Sequence, residues 1–136
     1  MQHDVQFTLN AAIAPEALRD LFAQTAWAKL RPLSGITQIL QQTPLHTSAW
    51  HNRKLVGFAR VLTDGVYRAV LEDVIVAEAY RSRGIGCRLV ELLLAELGDV
   101  EEVMLGCMEN LVPYYERFGF KRVAHPIMKR HQNLKP

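Results

Sequence analysis

The sequence lacks the features of a disulfide-rich or metal-binding protein. It has only two cysteines, Cys87 and Cys107, with no CxxC pair, and its five histidines are scattered along 136 residues without ligand spacing. Neither a disulfide framework nor a metal site is therefore expected. We expect both cysteines to be buried, reduced thiols, because unpaired cysteine is among the most buried residue types.

An excess of charge of one sign and long apolar runs are also missing. Sixteen Lys+Arg against fourteen Asp+Glu give a formal net charge of +2, which is too small to indicate binding to nucleic acid or a membrane surface. No apolar run reaches the roughly 18 residues of a membrane span, and no basic start leads into an apolar segment. The expectation is a cytoplasmic protein.

Apolar material, in contrast, is sufficient for a core. A hydrophobic content of 49% in 136 residues predicts one domain that covers residues 1–136. Hydrophobic periodicity and turn residues divide this domain into helices and strands. The predicted elements are strand 4–10, helix 15–27, a helix from an N-cap at Ser34 to just before Pro44, strands 46–51, 55–62 and 66–77, helix 84–98, strand 101–107, helix 110–118 with its N-cap at Asn110, and a last strand that ends near residue 129.

This order predicts a mixed α/β fold of the α+β class, in which helices interrupt a mostly antiparallel sheet. Only the strand-helix-strand unit of residues 66–107 is expected to be parallel, joined by a right-handed crossover.

The most informative stretch is residues 74–87, VIVAEAYRSRGIGC, where a strand enters a glycine-containing turn that opens a helix. Backbone N–H groups at a helix N-terminus bind anions, and Arg81 and Arg83 add positive charge there. The three-glycine dinucleotide pattern is incomplete and no Gly-Lys-Ser/Thr follows, which argues against a P-loop. The alternative is a glycine-rich turn with solvated arginines.

The pattern Arg-x-x-Gly-x-Gly from Arg81 to Gly86, preceded by a strand valine, resembles the coenzyme A signature of the GCN5-related N-acetyltransferase (GNAT) family. The early helices, the hairpin strands, this turn and the later segment YYERFGF follow the family's order over nearly the whole chain. The resemblance implies a twisted sheet of six to seven strands flanked by about four helices. It also implies an acyltransferase that uses acetyl-CoA, without a metal, to acetylate a primary amine by direct attack on the thioester.

By the same resemblance, strand backbone groups would contact the pantetheine arm and the acetyl carbonyl, and the turn would hold the pyrophosphate. The residues expected to bind the cofactor are Val74, Ile75, Val76, Arg81, Ser82, Arg83, Gly84, Ile85, Gly86, Cys87, Asn110 and Tyr115.

Acyl transfer to an amine needs a neutral nucleophile and a proton for the departing thiolate. Tyr115 matches the family's general acid and is protonated at pH 7; a packing tyrosine with a solvated hydroxyl is the alternative. Strict strand alternation would place Glu72 on one face and Asp73 on the other, so that only one carboxylate faces the acetyl group. We prefer Glu72 as the base, with Asp73 second; pairing with a neighbouring Arg or Lys is the alternative.

The acceptor is less defined. Residues 111–120 are similar to arylalkylamine (serotonin) N-acetyltransferases, but Val70 and Glu72 stand where those enzymes have two histidines. The first helices and the third strand line the acceptor side in the family, which makes Trp27, Arg31 and Phe58 candidate pocket walls. We expect a small-molecule amine as partner, with a protein or peptide amine, or a binding module without turnover, as alternatives. No nucleic acid or membrane partner is expected, and a homodimer is left open.

Overall fold

The computed structural model describes residues 4–132. The chain divides into two compact units, Met1–Leu105 and Gly106–Pro136. The first unit contains the sheet and three of the helices, and the second contains a short helix in an aromatic-rich segment. The predicted single domain over residues 1–136 stays a prediction. Within residues 4–132, no helix is long and apolar enough to cross a membrane.

Among residues 4–132, the sheet has five strands in the spatial order β1-β2-β3-β4-β5. The strands are β1 (Gln6–Leu9), β2 (Leu45–His51), β3 (Lys54–Thr63), β4 (Arg68–Val76) and β5 (Glu102–Met104). Neighbours are antiparallel except for the parallel pair of β4 and β5, which agrees with the predicted crossover unit.

The prediction of six to seven strands is wrong for the described residues. The last strand expected to end near residue 129 does not form, because residues 121–132 belong to no ladder and their side chains are exposed. Val123 and Ile127 are 56% and 58% exposed, so the apolar residues of this segment have no buried face to fill. A strand needs both a hydrogen-bonded partner and a face to cover.

The described part of the chain has four α-helices, which agrees with the predicted number: α1 (Pro15–Phe22), α2 (Leu33–Gln42), α3 (Ile85–Leu97) and α4 (Val112–Glu116). Several helix boundaries differ from the prediction, among them the end of α4, which lies at Glu116 and not at Phe118. Helix α1 ends early because the Thr25 hydroxyl donates to the Phe22 carbonyl and accepts from the Ala28 N–H, both at 2.9 Å, which closes a turn. Pro32, and not Ser34, is the N-cap of α2.

The N-cap predicted at Asn110 is also wrong. Asn110 lies inside a 3-10 turn, Glu109–Leu111, and Leu111 is the N-cap of α4. The Leu111 N–H bonds to the Met108 carbonyl at 2.9 Å, so the chain turns one step before the α-helix begins. Pro113 then occupies the first turn of α4, where its missing N–H costs nothing.

The core of the first unit lies on both faces of the sheet. On one face Phe22 of α1 packs edge-on against Phe58 of β3, with ring centroids 6.2 Å apart. On the other face the Thr47 hydroxyl donates to the Leu89 carbonyl of α3 at 3.1 Å. Gly57 also faces α3, where an added Cβ would lie 3.0 Å from Leu89 Cδ1. Helix α3 therefore sits close to the sheet, which fixes the position of its N-terminus.

Candidate active site

Strand β4 carries a β-bulge where the sequence places its two adjacent carboxylates. Glu72 pairs with Arg60 of β3, whereas Ile75 pairs with Phe58, so Asp73 and Val74 together stand opposite a single residue. At this bulge the backbone of Asp73 lies in the left-handed region, with φ of 54°. The bulge lies in the middle of β4, within the segment that the sequence predicts to hold the catalytic base.

The bulge makes the predicted strict alternation wrong beyond Glu72. Residues directly opposite each other in an antiparallel ladder share a face, so Glu72 lies on the face of Arg60. The Asp73 side chain also contacts Arg60, which places both carboxylates on the α1 and α2 side of the sheet. The extra residue shifts the alternation by one position, and the argument that only one carboxylate can face the reaction no longer holds.

Asp73 is a buried anion held by two arginines. Its Oδ2 accepts a hydrogen bond from Arg31 Nη1 at 2.9 Å and another from Arg60 Nε at 2.6 Å, and its side chain is 1% exposed. Burial opposes ionisation, but the hydrogen bonds from the two guanidinium groups outweigh it and hold the pKa of Asp73 below its ordinary value. A carboxylate in this state is a poor proton acceptor near neutral pH.

Glu72 has a different environment on the same side of the sheet. Its side chain is half-buried, and it takes part in none of the ion pairs among the described residues. Of the two adjacent carboxylates, Glu72 is therefore the one without an ion-pair partner among the described residues. The assignment of Glu72 as base, with Asp73 second, stays a prediction.

The ladder between β4 and β5 ends just before the bulge. Their ladder contains only Arg68 with Glu102, Ala69 with Val103, and Val70 with Met104. Residues 71–76 of β4 therefore have no partner on β5, and their backbone groups on that edge are not used by the described sheet. These residues include Val74, Ile75 and Val76. An extended ligand with amide groups can pair with such an edge as an added strand would.

The two arginine side chains of the turn after β4 donate hydrogen bonds to backbone carbonyls of neighbouring residues. Arg81 Nε donates to the Val76 carbonyl at 3.1 Å, and Arg83 Nη2 donates to the Ala79 carbonyl at 3.2 Å. The Arg83 guanidinium also lies over the Tyr80 ring, 5.1 Å from its centroid. Ser82 has a left-handed backbone, with φ of 66°. The turn thus keeps two positive charges close to the chain beside the helix that follows.

Helix α3 begins at a glycine with open space beside it. The helix begins after Gly84, whose φ of 80° favours glycine, and no heavy atom lies within 4 Å of a Cβ built there. Its first backbone hydrogen bond runs from the Arg88 N–H to the Gly84 carbonyl at 3.1 Å. The N–H groups of Ile85 and Gly86 consequently have no acceptor within the helix. No acidic residue lies in this first turn.

Neither cysteine is buried as predicted: Cys87 is half-buried and Cys107 is exposed. Cys87 lies in the first turn of α3, and Cys107 lies beyond the end of β5. Neither position belongs to the apolar interface between α3 and the sheet. Within residues 4–132, no three of the His, Cys, Asp and Glu side chains are grouped to hold a metal ion.

In the second unit, Tyr115 lies in an aromatic cluster. Its ring centroid is 4.9 Å from that of Tyr114, 6.4 Å from Phe118 and 6.1 Å from Phe120. Burial, with a smaller effect from Cys107, raises the pKa of Tyr115 to about 12, so the phenol is protonated at neutral pH. Asn110 is exposed in the 3-10 turn of the same unit. The catalytic role of Tyr115 and the cofactor contacts of both residues stay predictions.

Comparison with known proteins establishes the family. Residues 10–135 match the family model described as an acetyltransferase (GNAT) domain. The chain therefore belongs to the GNAT family, which confirms the predicted family and the predicted enzyme class, an acyltransferase.

Individual relatives and structures agree with this result. The chain is 27% identical over 123 residues to an "uncharacterized N-acetyltransferase ycf52" of Pyropia yezoensis, covering 86% of this chain and 70% of the relative. It is 28% identical over 117 residues to "histone acetyltransferase TAP1" of Glycine max, covering 76% of this chain but 50% of that one. The crystal structure of a putative acetyltransferase from Deinococcus radiodurans superposes with a TM-score of 0.77, at 28% identity, over 93% of this chain and 89% of the other.

Three predictions are not decided by these comparisons. The similarity to arylalkylamine acetyltransferases, the cytoplasmic location and the acceptor stay predictions.

Proposed function

We propose that this protein transfers the acetyl group of acetyl-CoA to a primary amine of a small molecule by direct attack on the thioester. The observation that carries the proposal is the edge of β4 that has no partner on β5, which leads through an arginine-bearing turn to the N-terminus of α3. A strand edge, two guanidinium groups and a helix N-terminus in sequence suit a long ligand that has amide groups at one end and a diphosphate at the other.

The residues present fit acetyl-CoA, which supplies the activated acetyl group as a thioester when it is bound. The open space at Gly84 lets a phosphate approach the backbone, and the N–H groups of Ile85 and Gly86 have no acceptor within the helix. Residues 74–76 would hold the pantetheine arm and residues 81–87 the pyrophosphate, with Asn110 and Tyr115 as further contacts.

Glu72 is the group proposed to accept the proton of the amine. An alkylammonium group with a pKa near 10 is mostly protonated at pH 7 and is not nucleophilic until it loses that proton. Glu72 would take the proton through a water molecule, while a backbone N–H near Val76 donates to the carbonyl oxygen that gains charge. Asp73 would keep its two arginines in place rather than exchange protons.

Tyr115 is the group proposed to assist the departing sulfur. With a pKa of about 12 the phenol is a much weaker acid than an ordinary thiol, whose pKa is about 8.5. Complete proton transfer to a thiolate is then unfavourable. We therefore assign to Tyr115 the donation of a hydrogen bond to the sulfur as it leaves, with the final proton coming from solvent.

The sharpest test of Glu72 is release of free thiol by the Glu72→Gln variant, with Glu96→Gln, an exposed substitution on α3, as the matched control. Loss of a general base is expected to lower kcat by about a hundredfold at neutral pH. The deficit should shrink as the pH rises toward the pKa of the amine, because the substrate then arrives deprotonated. Turnover by Glu72→Gln equal to that of Glu96→Gln would remove Glu72 from the mechanism.

A protein amine is the second candidate acceptor, since one relative is named a histone acetyltransferase. A panel of tryptamine, polyamines, aminoglycosides and peptides with free N-termini separates the two candidates and also tests the arylalkylamine hypothesis. Turnover confined to peptides would favour the second candidate. Tight binding of acetyl-CoA without turnover of any amine would instead indicate a binding module.

A further inference from the structure

An open groove of about 440 Å³ lies between α2 and β3, on the side of the sheet that carries Glu72 and Asp73. Its volume is within the range of small-molecule sites. Helix α2 contributes Gln38 and Gln42, Thr43 follows the helix, and Arg60 of β3 is the charged residue of the lining. These polar groups line a common space to which the proposed function gives no role in acetyl-CoA binding or proton transfer.

Arg60 presents unused hydrogen-bond donors in this groove. Its Nε is committed to Asp73 at 2.6 Å, and its side chain is only 12% exposed. Within residues 4–132, its terminal nitrogens Nη1 and Nη2 donate to no protein acceptor, and neither is sealed from solvent. Because Asp73 fixes the guanidinium by its Nε, the two terminal nitrogens form a rigid fork, which matches the oxygens of a carboxylate or a phosphate.

Thr43 supplies a second, independent observation. Its hydroxyl oxygen is buried and has no hydrogen-bond partner among the described residues. A buried hydroxyl without a partner is costly and uncommon in folded proteins. Thr43 lines the same groove as Arg60, and because its hydroxyl is closed to solvent in this rotamer, rotation about χ1 would bring it to an acceptor group bound in the groove.

The groove lies one strand away from the proposed reaction centre. Arg60 is the ladder partner of Glu72, and Leu62, which also lines the groove, is the partner of Val70. Adjacent strands are about 4.8 Å apart. A ligand anchored at Arg60 therefore places atoms a few bonds away beside Glu72, the carboxylate without an ion pair.

We infer that the acceptor is an amine that also carries an oxyanion, a carboxylate or a phosphate, which Arg60 and Thr43 bind with help from Gln38 and Gln42. The ammonium end then faces Glu72 and the anionic end faces Arg60, so the two charges of the ligand meet opposite charges on adjacent strands. This inference rests on the proposed function for the reaction, but the anion site itself is a property of the groove.

Matched pairs of amines that differ in one oxyanion test the inference. Tryptophan against tryptamine adds a carboxylate, and glucosamine 6-phosphate against glucosamine adds a phosphate. The wild-type protein is expected to show a kcat/KM at least about tenfold higher for the anionic member of at least one pair, the effect of about one charged hydrogen bond. The pair that responds identifies the oxyanion.

Thr43→Val is the informative variant, because it keeps the side-chain volume and removes only the unsatisfied hydroxyl. It is expected to raise Tm without ligand and to lower kcat/KM severalfold for the anionic amine alone. Thr37→Val is its control, since the Thr37 hydroxyl already donates to the Leu33 carbonyl at 2.9 Å and does not line the groove. Arg60→Lys retains a charge beside Asp73 while losing the fork, and should abolish the preference for the anionic member.

Calorimetry on the protein without acetyl-CoA, with the same four amines as probes, separates this inference from the proposed function. Binding of an anionic amine that Thr43→Val weakens supports the groove even if no amine turns over. Turnover that favours the neutral members, or an anionic preference that both Thr43→Val and Arg60→Lys retain, overturns the inference and leaves the acetyltransferase proposal standing. Absence of both binding and turnover with all four overturns the inference.

Discussion

Replacing Asp73 by Asn isolates the charge of the buried carboxylate. Asparagine has nearly the same volume, retains one oxygen that accepts hydrogen bonds, and tolerates the left-handed φ of 54° as well as aspartate does. The substitution therefore changes neither the packing nor the strain of the bulge. What it removes is the negative charge that Arg31 and Arg60 share.

The size of the effect follows from the burial of the three groups. Hydrogen bonds to charged groups contribute about 1.5–3 kcal/mol each, and loss of one partner of a buried ion pair costs about 3–5 kcal/mol. Asp73 is 1% exposed but Arg31 is 34% exposed, so one of the two arginines recovers part of its hydration. We expect the free energy of unfolding to fall by about 2–4 kcal/mol, measured by urea denaturation at pH 7. The control, Asp20→Asn on the exposed side of α1, should change it by less than about 0.5 kcal/mol.

The pH dependence gives this prediction a sign. The pKa of Asp73 is lower in the folded protein than in the unfolded chain, so its stabilisation is present above about pH 4 and is lost as the pH falls through the folded value. The difference between the wild type and Asp73→Asn should therefore be full at neutral pH and shrink in acid. A variant as stable as the wild type at pH 7, or a difference that does not shrink in acid, would refute the electrostatic reasoning.

Three further substitutions test other parts of the site. Gly57→Ala places a methyl group 3.0 Å from Leu89 Cδ1 and 3.2 Å from Ile85 Cγ2. The free energy of unfolding, measured by urea denaturation, should fall by about 1–3 kcal/mol, and the KM for acetyl-CoA should rise because the start of α3 is displaced. An unchanged KM would contradict this. Tyr115→Phe should lower kcat without changing the KM for acetyl-CoA. It should also remove the part of the loss of stability between about pH 10 and pH 12 that comes from ionisation of Tyr115 in the unfolded wild-type chain. Unchanged turnover excludes the proposed role. Gly86→Val adds a branched side chain in the first turn of α3, and steady-state kinetics should show a raised KM for acetyl-CoA; a KM equal to the wild type would indicate that no phosphate approaches this residue.

Much of the fold could be predicted from the sequence because its signals are local. The apolar stripe and the terminal glycines of α3 are contained within 15 residues, and the helix indeed runs over Ile85–Leu97 between Gly84 and Gly98. The hairpin of β2 and β3 is marked by residues 52–53, where both φ values are positive. The crossover unit follows from the order of its elements alone.

The site was less predictable because its key contacts are distant in sequence. Arg60 was not recognised as a site residue, since its roles depend on Asp73 and on the groove beside α2, neither of which its neighbours along the chain reveal. The Thr43 hydroxyl was missed for the same reason: only the packing around it shows that it is buried without a partner. The bulge was missed as well, because residues 69–71 and 74–76 are all apolar, so β4 has no alternation of apolar and polar residues whose shift would mark an inserted residue.

The bulge explains how two adjacent carboxylates come to have different tasks. In a regular strand Glu72 and Asp73 would lie on opposite faces, and one of them would be remote from an acceptor. The extra residue turns Asp73 toward Arg31 and Arg60, whose hydrogen bonds keep it ionised, and leaves Glu72 on the same face without an ion pair. Asp73 thereby fixes the guanidinium fork that we assign to the anionic end of the acceptor, while Glu72 stays available for its amine. An insertion or deletion that removed the bulge would separate these two functions even if every side chain were retained.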